Sequence, residues 1–100
     1  MDLKEITANL SKISDIYAEK FNINRDNDWF VLKIQEELGE LTAAHLKLSK
    51  RARLGDATQT ELEKNLRDEI ADVIALTLLY AKDKNVDVEL AIKEKWFKYL

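Results

Sequence analysis

The chain contains no cysteine and no proline, and only two of its 100 residues are glycine. Without cysteine it can form neither disulfides nor zinc sites built on thiolates. Proline and glycine interrupt helices, so their scarcity favours long ones. The alternation of apolar and polar residues that indicates strands is also missing. These absences predict an all-α protein.

Long apolar runs and a strong charge of one sign are missing too. The longest run with a single charge covers residues 70–81, which is too short to span a bilayer, and no secretory signal pattern stands at the beginning of the chain. We therefore expect a cytoplasmic protein without membrane contact. The net charge is −3 and the basic residues are scattered, which argues against binding of a nucleic-acid polymer. A chain of this length predicts one domain, residues 1–100.

Apolar periodicity and capping residues divide the chain into four main helices. They are predicted at about residues 2–20, 27–51, 58–82 and 87–100. Asp2 and Asp87 are candidate N-caps, and a capping box is expected at the third helix, either from Thr58 to Glu61 or from Thr60 to Glu63. Asn85 can adopt the left-handed conformation that ends a helix.

Five carboxylates in two spaced sets lie on the second and third predicted helices. Glu36, Glu37 and Glu40 fall within one arc of about 100°, and Glu69 and Asp72 lie one turn apart on one face. Asp72 is the only charge in residues 70–81, and a helix that is apolar all round is expected to be buried on every side. A carboxylate there needs a proton, a salt bridge or a metal ion. The two sets together predict a cation site.

The kinds of ligand present favour a hard divalent cation. Carboxylate oxygens suit Mg²⁺, with Mn²⁺ as the next candidate. A zinc site is disfavoured because His45, the only histidine, lies more than 90° off the glutamate arc and is expected at the edge of the core. A di-iron centre would need Glu-x-x-His on two helices, which the chain lacks.

The segment Glu36-Glu-Leu-Gly-Glu40, followed after 28 residues by Glu69-Ile-Ala-Asp72, resembles the EExxE…ExxD motif of MazG-like, all-α nucleoside triphosphate pyrophosphohydrolases. The resemblance covers about residues 21–99 and places Lys95 at the family's phosphate-binding lysine position. It departs at Tyr99, where relatives often carry asparagine. It implies Mg²⁺-dependent hydrolysis of nucleoside triphosphates to monophosphates and pyrophosphate, in the removal of surplus, damaged or non-standard deoxynucleotides.

The resemblance and the chemistry of phosphoryl transfer together give each candidate residue a role. Metal ions would be held by Glu37, Glu40, Glu69 and Asp72, and Glu36 would bind a further ion or act as the base for the attacking water. Lys47 and Lys95 are candidates for binding the departing pyrophosphate, although a solvated surface lysine is an equal interpretation of Lys47. Phe21 and Trp29 are candidates for stacking on the base, with core packing as the alternative.

A second interpretation from another class is a non-catalytic helical interaction protein whose acidic face docks a basic partner. Self-association is expected under either interpretation. The apolar residues of the third helix point in all directions, and three other helices are too few to cover them. The bundle is therefore predicted to be completed in a homodimer or homotetramer. The preferred base and sugar and the number of metal ions stay open.

Overall fold

The computed structural model describes all 100 residues and contains four α-helices and no strand. The helices are α1 (Leu3–Lys20), α2 (Trp29–Leu48), α3 (Gln59–Asp83) and α4 (Val88–Trp96), and a short 3₁₀ turn, Phe97–Tyr99, follows α4. The all-α prediction is thus confirmed. None of the helices is both long and apolar enough to cross a membrane.

The N-terminal caps are those that the sequence predicts. The carboxylates of Asp2 and Asp87 each accept a hydrogen bond from the backbone N–H three residues further on, at 2.9 and 3.1 Å. At α3 the capping box is the one between Thr58 and Glu61, in which each side chain accepts from the other residue's backbone N–H at 3.2 Å. Local sequence therefore sets where these helices begin.

Three helices end at a residue with left-handed backbone. Asn22, Lys50 and Asn85 have φ of 51°, 61° and 58°. After each of them the next backbone N–H bonds to the carbonyl five residues earlier, at 2.8 Å, which satisfies the last turn of the helix. Helix α2 ends at Leu48, three residues before the predicted end at Arg51. The prediction was wrong here because a lysine, unlike asparagine or glycine, does not mark a left-handed position.

Helices α2 and α3 form an antiparallel pair, and α1 packs against α3. Lys84, directly after α3, donates a hydrogen bond to Asn27, two residues before α2, which holds these two ends together. Phe30 from α2 is buried close to Leu79 of α3. This pairing places the middle of α2 opposite the middle of α3, where the two sets of carboxylates lie.

The core of a single chain is small for its length. Only seven of the 100 residues are buried, all of them apolar. The accessible surface is 7816 Å², whereas a compact monomer of 11.6 kDa exposes about 5,800 Å². The radius of gyration, 16.0 Å, likewise exceeds the value of about 13 Å for a compact domain of this length. Each chain therefore exposes an excess of about 2,000 Å².

In a single chain α3 is left partly open, as the sequence predicts, whereas the prediction for His45 is wrong. Helix α3 is not covered on every side: Ile70 and Ile74 are 42% and 55% exposed, and Asp72 is exposed as well. The reason is that α2 and α1, the main packing partners of α3, leave its remaining face open. His45 is exposed rather than at the edge of the core, with its Nε2 atom 3.3 Å from Nη2 of Arg51.

Candidate metal centre

All five predicted carboxylates meet where the middle of α2 faces α3. Glu36, Glu37 and Glu40 offer oxygens that lie within 4.8 Å of one another. Glu37, Glu69 and Asp72 form a second set with the same spacing. Glu37 belongs to both sets, so the carboxylates form one continuous cluster that spans the two helices.

Two oxygen atoms in this cluster are buried without a partner. Oε2 of Glu37 and Oε2 of Glu69 are shielded from solvent and accept no hydrogen bond. A buried polar atom that makes no hydrogen bond costs about 1–3 kcal/mol, and more when it carries charge. The two atoms come from facing helices, so a single cation or proton between the helices can satisfy both. A divalent cation fits this donor set, since it prefers carboxylate oxygens.

The protonation of the cluster reflects the same crowding. Burial, as the largest cause, and the neighbouring carboxylates of Glu40, Asp72 and Glu69 together raise the pKa of Glu37 to about 7. Burial is also the largest cause that raises the pKa of Glu69, and the negative charges of Glu40 and Asp72 raise it further. Like charges this close disfavour the ionised form. A bound cation would remove this penalty and displace the proton.

The raised pKa of Glu37 leads to a prediction for the metal-free protein. Between about pH 4.5 and 7 the native state retains a proton that the unfolded chain has released, so stability falls as the pH rises and levels off above about pH 7. At about 1.4 kcal/mol per pKa unit, reduced by solvent screening of this partly exposed group, the loss is on the order of 2 kcal/mol. Thermal melts in EDTA at pH 5, 6, 7 and 8 measure it. Glu37→Gln should flatten the profile, whereas Glu19→Gln, at an exposed site on α1, should leave it unchanged; a wild-type profile that rises with pH contradicts the assignment.

Glu36 differs from the other four carboxylates because it has a cation of its own. Its Oε1 atom accepts a hydrogen bond from Nζ of Lys33 at 2.7 Å. This hydrogen bond raises the pKa of Lys33. The pairing keeps Glu36 at the solvent edge of the cluster, with its second oxygen unpaired.

A cleft of about 350 Å³ opens beside the cluster, between α1 and the α2–α3 pair. Glu37 and Asp72 form its acidic end. Trp29, which packs edge to face on Phe30 at 5.0 Å, and Tyr17 of α1 supply its aromatic surface. The other lining residues are Leu10, Ile13, Ser14, Lys33, Ala75, Leu76 and Leu79. The cleft thus joins an apolar and aromatic surface to carboxylates.

Of the two residues predicted to stack on a base, only Trp29 lines this cleft, and the residues from α1 were not predicted. Tyr17 and Ser14 reach it only because α1 packs on α3, and no local pattern indicates that contact. The spacing of Tyr17 with the apolar residues of α1 was the only available signal, and such spacing equally describes a core residue.

Three predicted site residues are not brought to the cluster within one chain. Phe21 is 56% exposed, packs on Tyr17 with ring centroids 4.8 Å apart, and does not line the cleft. Lys47 is exposed on α2 about 10 Å along the helix axis from Glu40. Lys95 is exposed on α4 and forms no salt bridge in its own chain.

The chain was compared with protein-family models, with curated proteins and with solved structures. None of them matches it. Inference about function therefore depends on the carboxylate cluster, its two unpartnered oxygens and the cleft beside them.

Proposed function

We propose that the protein is a Mg²⁺-dependent nucleoside triphosphate pyrophosphohydrolase that converts (d)NTP and water to (d)NMP and pyrophosphate. The observation that carries the proposal is the pair of buried, unpartnered oxygens of Glu37 and Glu69, on facing helices within a cluster of carboxylates. An acidic face for protein docking would leave its carboxylates solvated. The proposed role is to clear surplus, damaged or non-standard deoxynucleotides from the cytoplasmic pool.

Mg²⁺, or Mn²⁺ in its place, is the proposed cofactor. Glu37, Glu40, Glu69 and Asp72 would hold it, and Glu37 belongs to both carboxylate sets. When bound, the cation neutralises phosphate charge and favours attack of water on phosphorus. The carboxylates repel a triphosphate on their own, so substrate binding would depend on the loaded site.

Glu36 is the proposed base for the attacking water. Lys33 holds one of its oxygens at 2.7 Å, which fixes the carboxylate and leaves the other oxygen free to take a proton. Lys33 also lines the cleft, so its pair with Glu36 lies beside the space proposed for the substrate. A further cation is the alternative ligand for Glu36.

The cleft is the proposed site for the base and sugar of the nucleotide. Its aromatic surface from Trp29 and Tyr17 can stack on a base, and its acidic end lies where the triphosphate would meet the cation. Phe21 lies outside the cleft, so Tyr17 takes the stacking role first expected of Phe21. Lys47 and Lys95 are the proposed partners of the departing pyrophosphate; neither reaches the cluster within one chain.

A substrate screen tests the proposed reaction. The protein is incubated with each common ribo- and deoxyribonucleoside triphosphate and Mg²⁺, and pyrophosphate and nucleotide products are measured separately. At least one substrate should yield equal amounts of monophosphate and pyrophosphate. Formation of diphosphate and orthophosphate, or no turnover of any substrate by metal-loaded protein, would contradict the proposal.

Self-association is part of the proposal. On the side of the α2–α3 pair away from α1, four large apolar side chains are 42–55% exposed, namely Val31, Leu38, Ile70 and Ile74. We call them the open face. Pairing of this face with its copy would complete a four-helix core. Light scattering at micromolar concentration should give at least twice the chain mass of 11.6 kDa; an active monomer would contradict this prediction.

A further inference from the structure

The C-terminal arm, residues 88–100, comprises α4 and the 3₁₀ turn. Beyond its first residue, the rest of the molecule does not cover it. Every residue from Glu89 to Leu100 is exposed, including Trp96 at 64% and Tyr99 at 78%. The only side-chain hydrogen bonds of α4 lie within the helix and its cap. Large aromatic side chains normally find cover in a folded protein. The arm is therefore an element without its packing partner.

The arm has one apolar side that carries a lysine. Val88, Ile92 and Trp96 follow one another at intervals of four residues and form a stripe along α4, beside which Lys95 lies. Leu90 points to the opposite side of the helix. Whatever surface covers the stripe also receives the Lys95 ammonium group.

The turn before α4 fixes the direction of the arm. Asn85 has left-handed backbone, the backbone N–H of Val86 bonds to Ala81 at 2.8 Å, and Asp87 caps α4. Only the root of the arm, at residues 86–89, lies against α1 and α3. With this turn in place, Ile92 and Trp96 of the stripe stay exposed in their own chain, which points to a partner in another molecule.

A surface that matches the stripe lies at the cleft, and a second copy of the protein can present it. Ile13, which lines the cleft, and Ile16, one turn further on, are 64% and 66% exposed. Glu37 and Asp72 at the acidic end supply charge opposite to that of Lys95. Both the apolar stripe and its lysine thus find complementary groups on a second copy.

The surface areas also favour a second copy. A standard interface needs about 800 Å² from each partner, and each chain exposes an excess of about 2,000 Å². Pairing of the open face leaves enough surface for a further contact. A membrane is a poorer partner, because the arm has three lysines against two glutamates and its helix is only nine residues long.

We infer that the C-terminal arm of one copy packs along the α1 side of the cleft of a second copy, with its apolar stripe on Ile13 and Ile16 and Lys95 facing the carboxylates. The arm would then form one wall of the cleft in trans, beside the space proposed for the nucleotide. A contribution of Lys95 to pyrophosphate binding rests on the proposed function, whereas the docking itself does not.

Disulfide trapping tests the docking, since the chain has no cysteine of its own. Lys95→Cys is co-expressed with a tagged chain that carries Ile13→Cys, and mixed disulfide dimers are measured on non-reducing gels. We expect a mixed dimer for this pair and none for the matched pair of Lys95→Cys with Ile74→Cys, a residue of similar exposure on the open face. A mixed dimer with Ile74→Cys alone, or no mixed dimer with either partner, would overturn the inference. A disulfide within one chain that carries both Lys95→Cys and Ile13→Cys would overturn it as well.

Paired substitutions on α4 give a second test that needs no turnover. Ile92→Asp, on the stripe, should lower the melting temperature by several degrees, whereas Leu90→Asp, at a site of similar exposure on the opposite side, should have little effect. Equal effects of the two would overturn the assignment of the stripe. If the wild-type protein binds phosphatidylserine vesicles and Ile92→Asp abolishes that binding, the partner of the stripe is a membrane and the choice of a second copy is overturned.

Discussion

Asp72→Asn and Glu40→Gln are each expected to reduce pyrophosphate release by at least about 100-fold. Both substitutions keep the size of the side chain and remove one negative charge from the oxygens that would hold the cation. Asp72 shares a carboxylate set with Glu37 and Glu69, and Glu40 shares one with Glu36 and Glu37, so each tests a different side of the cluster. The measurement is the initial rate of pyrophosphate formation at saturating Mg²⁺.

The control for these variants is Glu19→Gln, which removes the same charge from an exposed site on α1 outside the cluster. It should retain wild-type activity. Circular dichroism and light scattering should show that all variants keep their helices and assembly. A fully active Asp72→Asn protein would contradict the assignment of the metal centre.

Millimolar Mg²⁺ or Mn²⁺ is expected to raise the melting temperature strongly. A ligand that binds only the native state at 100 times its Kd adds about 2.7 kcal/mol, which corresponds to roughly 10 °C for a domain of this size. Thermal melts with EDTA, with Mg²⁺ and with sodium chloride of the same ionic strength measure the effect. If the carboxylates instead form a non-catalytic face that docks a basic partner, magnesium and sodium salts should change the melting temperature equally.

Glu37→Gln separates repulsion within the cluster from its capacity to bind metal. The substitution removes one charge from a crowded, partly buried group, so the metal-free variant should melt at a higher temperature than the metal-free wild type. It should also lose most of the response to Mg²⁺, because Glu37 belongs to both carboxylate sets. If the variant instead melts several degrees lower in EDTA, internal salt bridges hold the acids and no cation is needed.

Much of the fold was predictable because it depends on local chemistry. Three of the helices begin at caps whose hydrogen bonds involve residues three apart, which the sequence displays directly. The end of α3 followed from Asn85, whereas the end of α2 was missed because a lysine occupies the left-handed position there. Local signals predict helix ends only where the residue type itself favours the required backbone.

The candidate site was only partly predictable. The spacing of the five carboxylates along two helices was enough to expect one cluster, and the structure brings them together. The spacing could not show that only Glu37 and Glu69 bury an unpartnered oxygen, because burial depends on how the facing helix is rotated. Nor could it show that Asp72 lies on the part of α3 that a single chain leaves exposed, since the apolar residues around it point in all directions.

By itself the sequence determined the helical class, most helix boundaries and the set of acidic residues, all of which follow from residues within a few positions of one another. Only the tertiary structure decided that α1 supplies Tyr17 to a cleft beside Glu37, and that Phe21 and Lys95 lie apart from it. The packing of α1 on α3 and the direction of α4 arise from contacts and turns distant from the carboxylates along the chain. Apolar periodicity shows that a helix has a face to bury, but the surface that covers it is decided by the helices that pack around it.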